Sequence, residues 1–278
     1  MYNLEYKKLL FDIRDEEKAA KTLERLTGVN ATYWYVERIK NNGRYDYADA
    51  DKDIERIISR NKGHYPQLCD LELVITHLTT SNNGCRSILD VGIIDLKKAY
   101  TNTRSELRRF LEQHGIEIRL DACCLKYNEK YYDISYEECP WDNESEEYAA
   151  WSVGRKFYYD FTVCGFLSIN SKRPYSGMVH RRPEILWDID KLLCTNLQTE
   201  WVRIYKSYEV VFKIPVLDTI YNGRDTESEQ EMIMHYLLDA YMCISSGPDT
   251  EEILCKNGVE VCPNQILECN RFTMWDIG

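Results

Sequence analysis

Several common catalytic signatures are missing from this chain. It has no P-loop, no GxGxxG, no HExxH and no GxSxG, which sets aside P-loop hydrolysis, Rossmann-type dinucleotide binding, zincin chemistry and the esterase nucleophile elbow. No internal repeat is visible, so neither a solenoid nor a propeller is expected. No apolar run approaches the ~20 residues that cross a bilayer as a helix. The start, MYNLEYKKLLFDIRDEEKAAK, mixes acids with bases, unlike a secretory signal. Excess positive charge is lacking too: 35 Lys and Arg stand against 46 Asp and Glu, a net charge of −11. The overall field therefore repels a polyanion, and any nucleic-acid contact would need a local basic patch. The eleven Cys are odd in number and include no CxxC. That pattern fits free thiols in a reducing compartment rather than a disulfide framework. It also speaks against structural zinc, which usually shows close Cys or His pairs. No metal and no membrane partner are expected, and the expected location is cytoplasmic.

What is present can build a core. Of 278 residues, 44% are hydrophobic, enough for one large domain or two small ones. Residues 1–27 read as helical, with Leu9, Leu10, Ile13, Ala20, Leu23 and Leu26 as the stripe and Gly28 as the stop. Thr32 to Asn41 is strand or helix, Asn41-Asn42-Gly43 is a turn, and Asp51 to Asn61 is a helix burying Ile54, Ile57 and Ile58. Residues 1–70 thus read as a helical cap or lobe before the main domain, residues 71–278.

The most informative stretch is Leu71 to Leu96, LELVITHLTTSNNGCRSILDVGIIDL. Leu73-Val74-Ile75 reads as a buried strand, continued by Thr76-His77-Leu78-Thr79 with polar and apolar side chains alternating. Ser81-Asn82-Asn83-Gly84 is a loop. A short helix around Ser87-Ile88-Leu89 ends at Gly92, before Ile93. His77 and Thr79 point to one face, although a lone His at a strand end is more often a hydrogen-bonded structural residue. Near the C-terminus, Glu252-Ile253-Leu254-Cys255 reads as a strand and Asn257-Gly258 as a tight turn. Val259-Glu260-Val261 reads as the returning arm of a hairpin, and Pro263 to Ile266 as a final turn.

These two segments resemble the ADP-ribosyltransferase superfamily, which includes poly(ADP-ribose) polymerases, DarT-type DNA modifiers and NAD-using RNA phosphotransferases. In several branches the first motif is His, one residue, Thr, a loop, then a helix of the form Ile-Leu-x-x-Gly-Ile/Leu. His77, Thr79, Ile88, Leu89, Gly92 and Ile93 stand at those positions. DarT-like chains end with a strand carrying the catalytic Glu, a Gly turn, then Val-Pro-x-x-Ile. Glu252 to Cys255 and Val261 to Ile266 are similar, with one extra residue before Pro263. The resemblance implies an α+β fold, a mixed or antiparallel split β-sheet of ADP-ribosyltransferase type behind a largely helical N-terminal part. It implies NAD as substrate and a macromolecular acceptor, protein or nucleic acid, in a toxin or phage-defence setting. It also implies that His77 holds ribose hydroxyls beside Thr79, that Tyr158 or Tyr159 stacks on nicotinamide, and that Glu252 is catalytic, with Glu251 and Glu260 as competitors. The chain has no clear Ser-Thr-Ser element and carries an apparent insertion near residues 116–147.

The remaining segments add two basic features and a rival reading. Thr103 to His114 reads as a helix with Arg104, Arg108 and Arg109 on one side. Ile116 to Leu120 reads as a strand, and Leu125 to Ile134 as a hairpin turning at Asn128-Glu129. The acidic segment Glu137 to Glu147 is an exposed loop, and 148–169 holds strands, or a helix leading into a strand. The loop Ser171 to Glu184 carries Arg173, His180, Arg181 and Arg182, candidates for contact with a phosphate or a polyanionic target. Pro183 opens a helix reaching about Asn196, Glu200 to Pro215 has strand character, and Asn222-Gly223 is a turn. Asp225, Thr226 or Ser228 then caps a helix to Tyr241. The rival to an enzyme is a non-enzymatic protein that binds a protein partner through its acidic, Tyr-rich surface.

Overall fold

The computed structural model describes residues 8–40, 50–221 and 228–275. The turns expected at Asn41-Asn42-Gly43 and Asn222-Gly223, and the cap candidates Asp225 and Thr226, lie outside the described residues. Within them the chain begins with a strand where a helix is expected: β1 (Leu9–Phe11) runs parallel to the start of β2 (Leu71–Ser81). The helix starts later because Asp15 accepts the Lys18 backbone N–H at 2.8 Å, a side-chain cap. That cap opens α1 (Glu16–Thr27), which Gly28 closes at φ 72°. Two further helices, α2 (Ala31–Lys40) and α3 (Ala50–Arg60), precede β2, the latter burying Ile54, Ile57 and Ile58.

After β2 come three short helices: α4 (Arg86–Val91), α5 (Leu96–Thr101) and α6 (Glu106–Gln113). Residues 117–133 form a small antiparallel sheet of their own, β3 (Glu117–Arg119), β4 (Cys124–Tyr127) and β5 (Lys130–Asp133). Its β4–β5 hairpin turns where expected, at Asn128 (φ 48°) and Glu129 (φ 62°). Then follow α7 (Glu146–Tyr158), β6 (Cys164–Ser168), α8 (Ile185–Leu193) and α9 (Leu197–Ile204). Strand character was expected from Glu200, but the strand β7 begins only at Lys206 (Lys206–Pro215). Asp190 explains the extra helix: its carboxylate accepts the Leu197 and Gln198 backbone N–H groups at 2.7 and 3.1 Å. The remaining elements are β8 (Thr219–Tyr221), α10 (Glu229–Ser246), β9 (Glu251–Cys255) and β10 (Ile266–Arg271). Ser228, one of the expected caps, closes a capping box with Glu231 at the start of α10.

The fold is mixed α+β. Among the described residues seven strands make one sheet, ordered β10-β7-β2-β6-β9-β8, with β1 added beside β2; every pair except β1–β2 is antiparallel. Strand alternation decides what each face meets. Leu71, Leu73 and Ile75 of β2, Phe212 of β7 and Ile253 of β9 share one core with α1, α3 and α10. The N-terminal helices therefore pack on the main sheet through a common apolar interior. Leu78 and Phe166 face the other way, into a smaller cluster with Phe272 and Trp275. A further cluster joins α6, α7, α8 and α9 to the small sheet through Phe110, Leu125, Phe157 and Trp201.

The expected C-terminal hairpin does not form. Gly258 does turn, at φ 77°, but β9 already has β6 on one edge and β8 on the other. No edge remains for the returning segment, and Val261 bridges to Ile93 instead. Among the described residues no helix is long and apolar enough to cross a membrane.

Candidate functional site

The site begins where β2 and β6 part. On one edge β2 pairs continuously with β7, from Glu72 to Ser81. On the other it pairs with β1 through Leu73, then with β6 at Thr76↔Phe166 alone. From His77 onward that edge has no strand beside it among the described residues. A cavity of about 590 Å³ lies along the opening. Its wall includes the successive residues Leu78 and Thr79, which point to opposite faces, as expected of a cavity running along a strand edge.

His77 spans the opening. Its Nδ1 lies 2.8 Å from the carbonyl oxygen of Cys164. A carbonyl only accepts, so Nδ1 carries the proton. Burial lowers the tendency of the ring to take a second proton, outweighing the opposite pull of that hydrogen bond. The imidazole is thus neutral, with the Nε2 lone pair left for a ligand in the cavity. Thr79, half-buried, also lines it.

The loop after β2 is tied by Glu106 at the start of α6. Its carboxylate accepts from Ser81 Oγ at 2.8 Å and from the Asn82 N–H at 2.8 Å. Ser81 Oγ in turn accepts the N–H groups of Asn83 and Cys85. The far end of α4 is tied by backbone alone: Ile93 and Val261 exchange two hydrogen bonds, each 2.9 Å. Gly92 has φ 100° and ψ −174°, and a Cβ there would stand 2.0 Å from the Val261 oxygen. Glycine is required at this approach.

The opposite wall comes from the end of α7 and the segment entering α8. Lys156 Nζ pairs with Glu184 at 2.7 Å and Asp160 at 3.6 Å. Arg182 has no salt bridge among the described residues; its guanidinium lies 5.7 Å from the Trp187 ring centre. Burial depresses its basicity, against the charges of Glu184, Asp188 and Asp190. Trp201 also lines the cavity, with Nε1 donating to Thr80 Oγ1 at 2.9 Å and its ring stacked on Tyr205 at 3.5 Å.

Glu252 lies outside this cavity. It sits opposite Phe166 on β9, so its side chain shares the Phe166 face. There it lines a second depression of about 400 Å³ with Arg173 and Tyr175. Burial, with the Glu252 carboxylate close by, pushes the Tyr175 phenol well above its usual range. Glu252 Oε1 is buried with no hydrogen-bond partner among the described residues. Cys164 lines the first depression, and burial, with Glu252 and Glu184 as the leading nearby charges, pushes its thiol up to about 12. Such a thiol is protonated at neutral pH and is no nucleophile.

The other expected site residues scatter. Tyr158 donates its hydroxyl to the Leu120 carbonyl at 2.9 Å and packs beside the small sheet. Tyr159 is 49% exposed at the end of α7. Neither lines the cavity: of the two arrangements expected for 148–169 the helix leading into a strand is the one found, α7 and then β6, and both rings sit at the end of the helix. His180 is buried, its ring against Trp275 at 4.9 Å and Phe272 at 6.1 Å. Arg173 and Arg181 are exposed, and of the four candidates Arg173, His180, Arg181 and Arg182 it is Arg182 that lines the cavity. Of the competitors of Glu252, Glu260 pairs with Lys98, and Glu251 is half-buried with its carboxyl pushed up by burial and Asp249. The basic face of α6 is occupied locally: Arg104 pairs with Asp90 and Arg108 with Glu112. Sequence reasoning missed Tyr175, Lys156 and Trp201. Tyr175 had a signal, since it sits inside the basic loop already singled out.

Among the described residues no three His, Cys, Asp or Glu side chains gather as a metal site. Comparison of the chain with protein-family models, with curated proteins and with solved structures gave no match.

Proposed function

We propose that this protein transfers ADP-ribose from NAD to a macromolecular acceptor, on a split sheet of ADP-ribosyltransferase type. The observation that carries the reading is the opened edge of β2. There a neutral His77, its Nδ1 committed to a carbonyl, offers a hydrogen-bond acceptor into a cavity beside Thr79. A vicinal diol is the group such an acceptor suits, and each ribose of NAD carries one. Arg182 is the wall cation free to meet the diphosphate. Tyr175, rather than Tyr158 or Tyr159, is the aromatic beside Glu252 and takes the place next to nicotinamide.

The reaction breaks the bond from ribose C1′ to the nicotinamide nitrogen. The bonding pair leaves with nicotinamide, which becomes neutral, and positive charge develops on the ribose ring. Glu252 would stabilise that cation and accept a hydrogen bond from a ribose hydroxyl or from the incoming nucleophile. Its Oε1, buried and without a partner, is the acceptor that the transition state would use. Positioning across the cavity supplies much of the acceleration.

The test is nicotinamide release from NAD by the intact chain, beside His77→Ala and Glu252→Gln. Release that falls at least about 100-fold in both variants, with melting temperatures kept, supports the proposal. Equal release by all three chains, or no release together with no NAD-dependent rise in melting temperature, refutes it.

A further inference from the structure

Helices α7 and α8 pack side by side next to the cavity, and their outer surface carries an aromatic and cationic strip. On α7, Tyr148 and Trp151 lie 5.4 Å apart, and Arg155 stands over Trp151 at 5.2 Å. On α8, Trp187 is 47% exposed and lies between Arg182 at 5.7 Å and Lys191 at 5.3 Å. The two halves lie on helices in direct contact, and Asp188 on α8 feels Lys156 and Arg155 of α7 together with Lys191, while itself acting on Arg182. None of Arg155, Arg181, Arg182 and Lys191 forms a salt bridge among the described residues, whereas Lys156 beneath them is held by Glu184 and Asp160. These four cations stand beside three carboxylates: Glu184, which Lys156 holds, half-buried Asp188, and Asp190, whose oxygens accept from Thr195, Leu197 and Gln198. The cations without a salt bridge therefore outnumber the carboxylates left open to solvent, on a chain whose net charge is −11.

We propose that this α7–α8 face binds single-stranded nucleic acid, its bases stacking on Trp187 and Trp151 and its phosphates meeting Arg155, Arg181 and Lys191. A cationic groove with interleaved aromatic rings is the chemistry by which single strands are held without a sequence code. An acidic peptide would use the cations but not the indole faces. Arg182 belongs to both the strip and the cavity wall, so a strand lying here reaches the cavity mouth. That nucleic acid is therefore the acceptor rests on the transfer reading above; the binding surface itself does not.

The experiment measures fluorescence anisotropy of labelled 12-nucleotide single-stranded DNA and RNA with the full chain, without NAD, from 20 to 300 mM salt. Saturable binding that weakens steeply with salt is expected. Trp187→Ala should weaken it about tenfold or more while Trp187→Phe keeps most of it, and the paired charge reversal Arg155→Glu with Lys191→Glu should abolish it. The charge reversal lies at exposed positions and keeps the test valid if Trp187→Ala unfolds. No binding at 20 mM salt overturns the proposal, as does binding that ignores these substitutions. Poly-glutamate binding equally tightly and equally sensitive to Trp187→Ala would assign the face to acidic proteins and overturn it too. Nicotinamide release without oligonucleotide binding sinks this inference alone, and oligonucleotide binding without nicotinamide release sinks only the transfer reading.

Discussion

Replacing Gly92 by alanine tests how the candidate cavity is closed. Gly92 adopts φ 100° and ψ −174°, a region essentially confined to glycine, where another residue costs about 1–3 kcal/mol. A Cβ would also sit 2.0 Å from the Val261 oxygen, so the two segments must part. The two Ile93–Val261 hydrogen bonds would then lengthen or break, each contributing about 1 kcal/mol. The expected loss is about 3–5 kcal/mol, or roughly 6–10 °C in melting temperature at about 2 °C per kcal/mol for a chain of this length. Gly84→Ala is the matched control. Gly84 also has positive φ, 74°, but a Cβ there meets nothing within 4 Å, so only about 1 kcal/mol of backbone strain is expected. Thermal and urea unfolding of the three chains would measure both values. If Gly92→Ala is no worse than Gly84→Ala, the close approach to Val261 is not what holds the end of α4.

Three further outcomes follow from buried polar contacts. Thr80→Val strands the Trp201 Nε1–H, now bonded to Thr80 at 2.9 Å, and should cost about 1–3 kcal/mol in urea unfolding. Asp190→Ala removes the acceptor for Leu197 N–H and Gln198 N–H and for the Thr195 hydroxyl; a loss of about 2–4 kcal/mol and reduced helical circular dichroism are expected. Asp239 is buried beside the Tyr221 hydroxyl at 2.7 Å, and burial raises its carboxyl to about 7. Because the folded value exceeds the unfolded one, its contribution is full below about pH 4 and is lost as pH rises towards 7. Asp239→Asn should therefore flatten the decline in stability between about pH 4 and 7, and an unchanged slope would reject the assignment.

Local chemistry was legible where it is self-contained. The apolar run of β2, the polar loop, and the short helix stopped at Gly92 are each dictated within a few residues, and they stand where the sequence puts them. The errors arise where a distant group decides. Leu9-Leu10-Phe11 fits a helical stripe but finds an open strand edge at Leu71–Leu73. α9 depends on a carboxylate seven residues upstream of its first N–H contact, invisible to any local cap rule. The Asn257-Gly258 turn is correct as a turn, yet the hairpin fails because both edges of β9 are occupied by strands remote in sequence. Of the candidate site, His77 and Thr79 come together because they share one strand. Tyr158, Tyr159 and His180 are candidates by residue type and order alone, and neither fixes where a ring points.

The placement of Glu252 has a consequence for how one ligand can engage the site. Thr76, Phe166 and Glu252 are successive register partners across β2, β6 and β9, so their side chains share one face, and His77 lies on the other. A molecule that touches both His77 and Glu252 cannot lie flat on either face. It must cross at the edge where β2 and β6 part, and the residue there is Cys164, whose carbonyl orients His77 and whose side chain is exposed into the cavity. Cys164→Ala keeps the carbonyl and opens the crossing, whereas Cys164→Phe keeps the carbonyl and fills it. The transfer reading therefore expects nicotinamide release within a few-fold of the natural chain for Cys164→Ala, and a loss of about 100-fold or more for Cys164→Phe with folding retained. Release that tolerates phenylalanine would mean that His77 and Glu252 do not act on the same molecule, and Glu252 would then have to be given up as the catalytic carboxylate.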